Sequence, residues 1–124
     1  MRRLLVRLLG LGFVSLISIP LLRAQTDVSG TWDLTVETQQ GTATPSVTLV
    51  QSGEKLSGNY HGRMGDSKVE GTVRGSDIQF TVTLRFQDQA HMISYSGTVA
   101  GDTMKGTVQF GDRGSGTWSG KRRQ

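Results

Sequence analysis

The residues of this 124-residue chain that could hold a metal ion are its two histidines, His61 and His91, with Asp66 or Asp88 as a carboxylate partner. Their spacing follows no zinc-ligand pattern. The chain has no cysteine, which excludes thiolate metal sites, disulfides and a cysteine nucleophile. We therefore expect ordinary surface histidines and no bound metal.

The sequence also lacks the motifs that would indicate a catalytic site. Ser94 and Ser96 lack the sharp turn and the neighbouring base that activate a serine nucleophile. The many glycines are not followed by a helix, which a phosphate-binding loop requires. A carboxyl pair for general acid–base catalysis needs one carboxyl in an apolar setting, and every Asp and Glu lies in a turn or on the polar side of an alternating pattern. The sequence predicts a protein that is not an enzyme and uses no cofactor.

Ligand binding suits the residue types better than catalysis. Aromatic side chains on the apolar side of the pattern could line a cavity for a small apolar molecule. More often such rings simply fill a core, and the inward glycines fit that role. The candidate ligand-binding residues combine such rings with basic side chains near one end of the predicted fold. They are Trp32, Tyr60, Arg63, Phe86, His91, Tyr95 and Arg113.

These side chains must be positioned by β-strands, because beyond residue 25 apolar and polar residues alternate with a period of two. Clusters of Gly, Asp and Ser interrupt the alternation, and the short connections predict antiparallel hairpins between neighbours in sequence. The pattern predicts eight strands: Val28–Glu37, Ser46–Gln51, Lys55–His61, Lys68–Arg74, Asp77–Gln87, Ala90–Val99, Thr103–Phe110 and Gly114–Arg122.

Glycines recur on the apolar side of these strands. Glycine within a strand costs stability, and strong curvature or room for a ring from across the core would explain its presence. Both features are typical of a small closed barrel. We therefore predict one all-β domain over residues 25–124, an eight-stranded antiparallel up-and-down β-barrel, with a two-sheet β-sandwich as the alternative. The inward glycines are Gly30, Gly58, Gly71, Gly97, Gly106 and Gly116.

Alternating hairpins sort the connections between two ends of the barrel. Tight glycine turns fall at the end beside both termini, whereas longer loops are predicted at the opposite end, over Thr38–Pro45, Gly62–Ser67, Gln87–Gln89 and Gly111–Arg113. Because binding groups often lie on loops held by a rigid scaffold, we expect a ligand or partner at this opposite end. Polar residues gathered there are Gln39, Gln40, Arg63, Asp66, Asp88, Asp112 and Arg113, together with Met64 and, just inside, His91.

Residues 1–24 have the form of a secretory signal peptide. Arginines precede an apolar run from Leu8 to Leu22, and Ala24 is a small residue suited to the last position before cleavage. The run of 15 residues is shorter than the roughly 20 residues that span a bilayer. Cleavage near Ala24 predicts a secreted or periplasmic protein that meets a membrane only through its signal peptide.

The net charge of +4 gives no reason to expect nucleic-acid binding. Four of the 14 basic residues lie in residues 1–24, which contain no acid, and the other ten are balanced by ten acids. The remaining basic cluster, Lys121–Arg123, carries three charges, and so few charges bind nucleic acid only weakly. We expect a solvated terminus there.

The motif Gly30-Thr31-Trp32, which opens the first predicted strand, resembles the calycin group of lipocalins, fatty-acid-binding proteins and avidins. In that group the tryptophan of a G-x-W signature plugs one end of the barrel. In lipocalins a basic residue near the end of the last strand packs on it, a role that Lys121 or Arg122 matches. The lipocalin helix and the fatty-acid-binding-protein lid are missing from the pattern. The polar inner residues with which avidins hold biotin are also missing, so the resemblance does not extend to biotin binding.

Together these features predict a non-enzymatic binding module with a small apolar ligand at one end of the barrel. One alternative is a protein–protein interaction module, such as an inhibitor of a protease or other hydrolase, that acts through the end loops. The other is a small outer-membrane barrel, because alternation alone does not say which face of the sheet points inward. The oligomeric state is left open.

The signal peptide leads to a direct prediction. Mass spectrometry of the folded protein recovered from the periplasm should give a chain that begins at or near Gln25. A soluble, folded product that retains Met1 would contradict it.

Overall fold

The computed structural model describes residues 27–63 and 65–124, so the predicted signal peptide over residues 1–24 lies outside the described residues. The described chain forms one antiparallel sheet that β1 and β9 close into a barrel. This confirms the predicted all-β antiparallel barrel and excludes the two-sheet sandwich. The strands are β1 (Gly30–Thr38), β2 (Gly41–Ala43), β3 (Ser46–Ser52), β4 (Lys55–Gly62), β5 (Gly65–Arg74), β6 (Asp77–Phe86), β7 (Gln89–Ala100), β8 (Thr103–Gln109) and β9 (Ser115–Arg122), with a 3-10 helix (Gly111–Arg113) between β8 and β9.

The short strand β2 continues the barrel wall formed by β3. Both pair with the same edge of β1 in one continuous register. Between them the Leu34 N–H donates to the Pro45 carbonyl oxygen at 2.8 Å, but proline has no N–H with which to complete the pair. The missing donor splits one wall strand at Pro45. The loop predicted over Thr38–Pro45 is therefore wrong for most of its length, because the chain there still pairs with β1.

Two other predicted loops are tight turns. Only two residues separate β4 from β5, and only two separate β6 from β7. The loop expected over Gly62–Ser67 is wrong because polar side chains on both faces do not end a strand. The backbone N–H and C=O groups of the two strands still bond to each other at the hairpin tip, even where the side chains on both faces are exposed to water. The connection expected at Gln87–Gln89 is one residue shorter, since Gln89 pairs with Phe86.

The apolar face of the strands points inward, as the alternation predicts. The buried residues include the large side chains Trp32, Phe80, Tyr95 and Trp118, and Phe110 is partly buried against them. Val28, which lies just before β1, is fully buried. The outward face of the described strands is polar apart from scattered residues, of which the exposed large ones are Val50 and Met92.

Inward glycines allow adjacent strands to approach closely and leave room for a ring. Gly97 of β7 lies opposite Gly106 of β8, and a Cβ at Gly106 would collide with the carbonyl oxygen of Ser96. Trp118 lies opposite Gly106 on the other side and donates its Nε1–H to the Ser96 carbonyl oxygen at 3.1 Å. The indole of Trp118 therefore crosses β8 at the glycine, which serves both roles expected from the sequence.

The β6–β7 turn places two residues with side chains in the left-handed region. Gln87 has φ 55° and Asp88 has φ 63°, the pattern of a type I′ hairpin turn, for which Asn-Gly is the preferred sequence. A Cβ in this conformation contacts the following carbonyl oxygen unfavourably.

We expect the double substitution Gln87→Asn with Asp88→Gly to stabilise the protein by about 1 kcal/mol in equilibrium urea unfolding. Ser76→Gly is the matched control in the β5–β6 turn, where Gly75 has φ 58° and Ser76 has no positive φ. That control should bring no gain. An equal gain in both turns, or none in the β6–β7 turn, would show that backbone strain at Gln87 and Asp88 is not the cause.

Candidate functional site

The two ends of the barrel differ in how they are filled. The closed end holds the β3–β4, β5–β6 and β7–β8 turns together with the first and last described residues. The open end holds the β1–β2, β4–β5 and β6–β7 turns and the 3-10 helix. The sequence-based assignment of connections to these two ends is correct, as are the tight turns of the closed end and the connection at Gly111–Arg113.

Trp32 plugs the closed end. The side chain is fully buried, and its Nε1–H donates to the Val28 carbonyl oxygen at 3.0 Å. The Val28 N–H in turn donates to Oε1 of Gln51 at 2.9 Å. The segment before β1 therefore folds over the barrel end and is tied to β3. Trp32, a candidate ligand-binding residue, lies at the end opposite the cavity described below.

Arg122 covers the Trp32 plug. It lies directly opposite Trp32 in the β1–β9 register and so shares its inward face. Its guanidinium carbon is 4.5 Å from the centroid of the Trp32 ring, an arrangement that favours a cation–π interaction. Its N–H groups donate to the carbonyl oxygens of Ser29 at 2.6 Å and Asp27 at 3.0 Å, and to Asp102 Oδ1 at 2.8 Å. Of the two basic residues that the resemblance allowed, Arg122 is the one on the tryptophan.

Aromatic rings fill the middle of the barrel. Phe80 stacks on Tyr95 with centroids 4.7 Å apart, and Trp118 meets both rings edge to face at 5.7 and 5.4 Å. Burial raises the pKa of Tyr95, and the nearby Tyr60 raises it further. Burial also raises the pKa of Tyr60, although the hydrogen bond between the two phenols acts in the opposite direction. Both phenols therefore stay neutral at ordinary pH. These rings therefore pack the barrel at this level.

A recess of about 670 Å³ lies above them at the open end. A second recess of about 380 Å³ adjoins it and shares several lining residues, including Tyr60, Arg63 and Arg113. Among the candidate ligand-binding residues, Tyr60, Arg63, His91 and Arg113 line the larger recess, and Tyr95 lines the smaller. The side chain of Phe86 lies outside the described part of the structure, as does the whole of Met64.

The wall beside the recess lacks strand pairing. The β3–β4 ladder stops at Ser46 opposite His61, and Pro45 then faces Gly62 across the recess. The Tyr60 ring lies against Gly62, where a Cβ would come within 2.7 Å of the ring. Pro45, Tyr60 and Gly62 therefore line the recess at the point where β3 and β4 are no longer paired.

The floor of the recess is apolar and its rim is basic. Leu84 and Ile93 are buried and Phe110 is partly buried, and all three line the larger recess. Arg63 and Arg113 are both exposed and line both recesses. No Asp or Glu is among the described residues that line either one.

Sequence reasoning missed part of this lining. His61, expected as a surface histidine, lines the recess, and its Nδ1 is 3.0 Å from Oδ1 of the exposed Asp66. Ala43 and Pro45 also line the recess; their segment was placed at the correct end, but only its polar residues were singled out. Leu84 and Ile93 lie on the apolar side of the alternating pattern, which indicates burial but not a binding site. The one sequence signal for a site was their position near the open end of β6 and β7.

Neither a metal site nor a membrane-spanning helix occurs in the described part of the chain. Across residues 27–63 and 65–124 no three His, Asp or Glu side chains are grouped so that they could hold a metal ion. None of the helices in these same ranges is long and apolar enough to cross a membrane.

Comparison with known proteins gives no match to a family model, to a curated protein or to a solved structure.

The closed-end plug makes a stability prediction. Trp32→Ala should lower the free energy of unfolding by about 3–5 kcal/mol, because it removes a buried indole and leaves a cavity. Arg122→Gln should cost about 1–3 kcal/mol through the lost hydrogen bonds and ring contact. Both are measured by equilibrium urea unfolding.

Arg123→Gln is the matched control for Arg122. The Arg123 guanidinium contacts the exposed carboxylate of Asp33, whose pKa is lowered mainly by that hydrogen bond. Because water screens this pair, the control should leave the urea midpoint nearly unchanged. Equal losses from the two arginine substitutions would argue against the plug.

Proposed function

We propose that the protein is a secreted or periplasmic, non-enzymatic binding module of the calycin type that takes a small, largely apolar molecule in the open-end recess. The observation that carries the proposal is the recess itself. Its volume of about 670 Å³ lies within the roughly 300–1,000 Å³ of small-molecule sites, and such sites typically combine apolar walls with a few polar groups. The apolar floor and basic rim of the recess have this composition.

The closed end supports the calycin assignment. The motif Gly30-Thr31-Trp32 opens β1, Trp32 is buried as a plug, and Arg122 near the end of the last strand lies 4.5 Å from its ring centroid. Plug and covering arginine are the arrangement that the resemblance implies. With one end filled in this way, a ligand would enter from the other.

A rough energy balance supports a small ligand. Burial of about 300 Å² of apolar ligand surface contributes about 7–8 kcal/mol at about 25 cal/mol per Å². The loss of translational and rotational freedom offsets part of this. We therefore expect dissociation constants of micromolar order or weaker for a purely apolar probe.

A protein partner at the open end is the second candidate function. The observation in its favour is Met92, which is 59 % exposed and lines the larger recess, because methionine is common on adaptable binding surfaces. We do not propose an outer-membrane barrel, since its outward face would have to be apolar, whereas the outward face of the described strands is polar apart from scattered residues such as Val50.

The first test uses the mature protein and a neutral apolar fluorophore, N-phenyl-1-naphthylamine. We expect saturable fluorescence enhancement, and at least tenfold weaker binding after Ile93→Trp, because the indole would fill the recess. Val50→Trp, which adds the same ring on the outward face, is the control and should bind like the parent. Native mass spectrometry of freshly purified protein, followed by lipid extraction, would then identify a carried ligand.

Two results would overturn the proposal. One is a folded protein, checked by its thermal melting curve, that binds no apolar probe. The other is equal weakening by both tryptophan variants. Capture of a defined hydrolase by a protein that binds no small molecule would favour the second candidate.

A further inference from the structure

We infer that the ligand of the open-end recess is an amphiphile with an anionic head group, held at the rim by Arg63 and Arg113. The inference rests on the binding function proposed above and adds the chemical class of the ligand. It combines the position of the two guanidinium groups with the absence of acid from the lining of the recess.

Two separate elements bring the arginines to one cavity. Arg63 lies in the two-residue turn between β4 and β5, and Arg113 is the last residue of the 3-10 helix before β9. Both line the larger recess and both line the smaller one. Two guanidinium groups that line one cavity give it a positive potential, which favours a bound anion over a neutral or cationic group.

The described residues supply no such anion at the rim. Elsewhere on the barrel Arg74, Arg122 and Arg123 are each within 4 Å of a carboxylate. No ion pair among the described residues includes Arg63 or Arg113. The open end does carry acids, and Oδ1 of Asp66 lies 3.0 Å from Nδ1 of His61, but none of Asp66, Asp88 and Asp112 lines a recess.

A compact anion with an apolar tail would satisfy both parts of the recess. A carboxylate or similar oxyanion accepts paired hydrogen bonds from a guanidinium, which a neutral head group does less well and a cation cannot do. The tail would lie on Leu84, Ile93 and Phe110, which line the same cavity. Apolar walls limit solvent screening and focus the field of the two arginines on the site.

Three probes that share one alkyl tail test the head group: decanoate, decanol and decyltrimethylammonium, each used below its micelle concentration. Displacement of N-phenyl-1-naphthylamine at low ionic strength gives their relative affinities. We expect decanoate to bind about tenfold more tightly than decanol and the cation to bind most weakly, with the difference shrinking at high salt because the rim is exposed.

Charge-removing variants then assign the effect to the two arginines. Arg63→Gln and Arg113→Gln should each weaken decanoate binding several-fold without changing decanol binding, and the double variant should bring decanoate close to decanol. Arg85→Gln is the matched control, because Arg85 is an exposed arginine near the same end of β6 that lines neither recess. All three positions are exposed, so melting temperatures should stay near that of the parent.

The outcomes separate this inference from the proposed function. If decanol binds as tightly as decanoate, or if Arg85→Gln weakens decanoate as much as the rim variants do, the inference is wrong and the apolar binding function stands. If inorganic phosphate alone displaces decanoate at equal concentration, the site recognises free anions and the amphiphile is wrong. If the folded protein binds none of the probes, the proposed function itself fails.

Discussion

Six residue pairs between β1 and β9, from Trp32 opposite Arg122 to Glu37 opposite Thr117, close the sheet on itself. An open sheet of this width would expose two unpaired edges, and its inward face would be only partly covered. Closure removes the edges and also requires tight curvature. The curvature in turn requires glycine where neighbouring backbones approach, as at Gly106, where any side chain would collide with β7.

The same register decides how the closed end is completed. Because directly paired residues on antiparallel strands point to one face, Arg122 projects on the side that carries Trp32. Its guanidinium then satisfies the carbonyl oxygens of Asp27 and Ser29 in the segment that crosses the barrel end. One strand pairing thus closes the wall, places the cation on the plug and ties the segment before β1 to the last strand.

Departures from regular structure gather at the other end. The wall ladder is interrupted at Pro45, and Gln87 and Asp88 form a turn with positive φ at two residues that carry side chains. Local departures of this kind are often found where function, rather than stability, has selected the structure. Both departures lie at the open end, away from the plug at the closed end.

The sequence by itself determined which side of each strand is buried, the number of wall strands and the positions of the tight glycine turns at the closed end. Alternation with a period of two reports burial directly, because it follows from the pleat of a single strand. Glycine in a two-residue turn likewise reports a local backbone requirement: Gly53, Gly75 and Gly101 all have positive φ.

Only the tertiary structure decided which residues of different strands and turns lie next to each other. It placed the Arg122 guanidinium on Trp32 across the β1–β9 pairing, tied Val28 to Gln51 of β3 and brought Arg63 and Arg113 to one cavity. None of these contacts is a property of one strand. Each joins residues far apart in sequence, and a residue's own neighbours along the chain carry no record of such a contact.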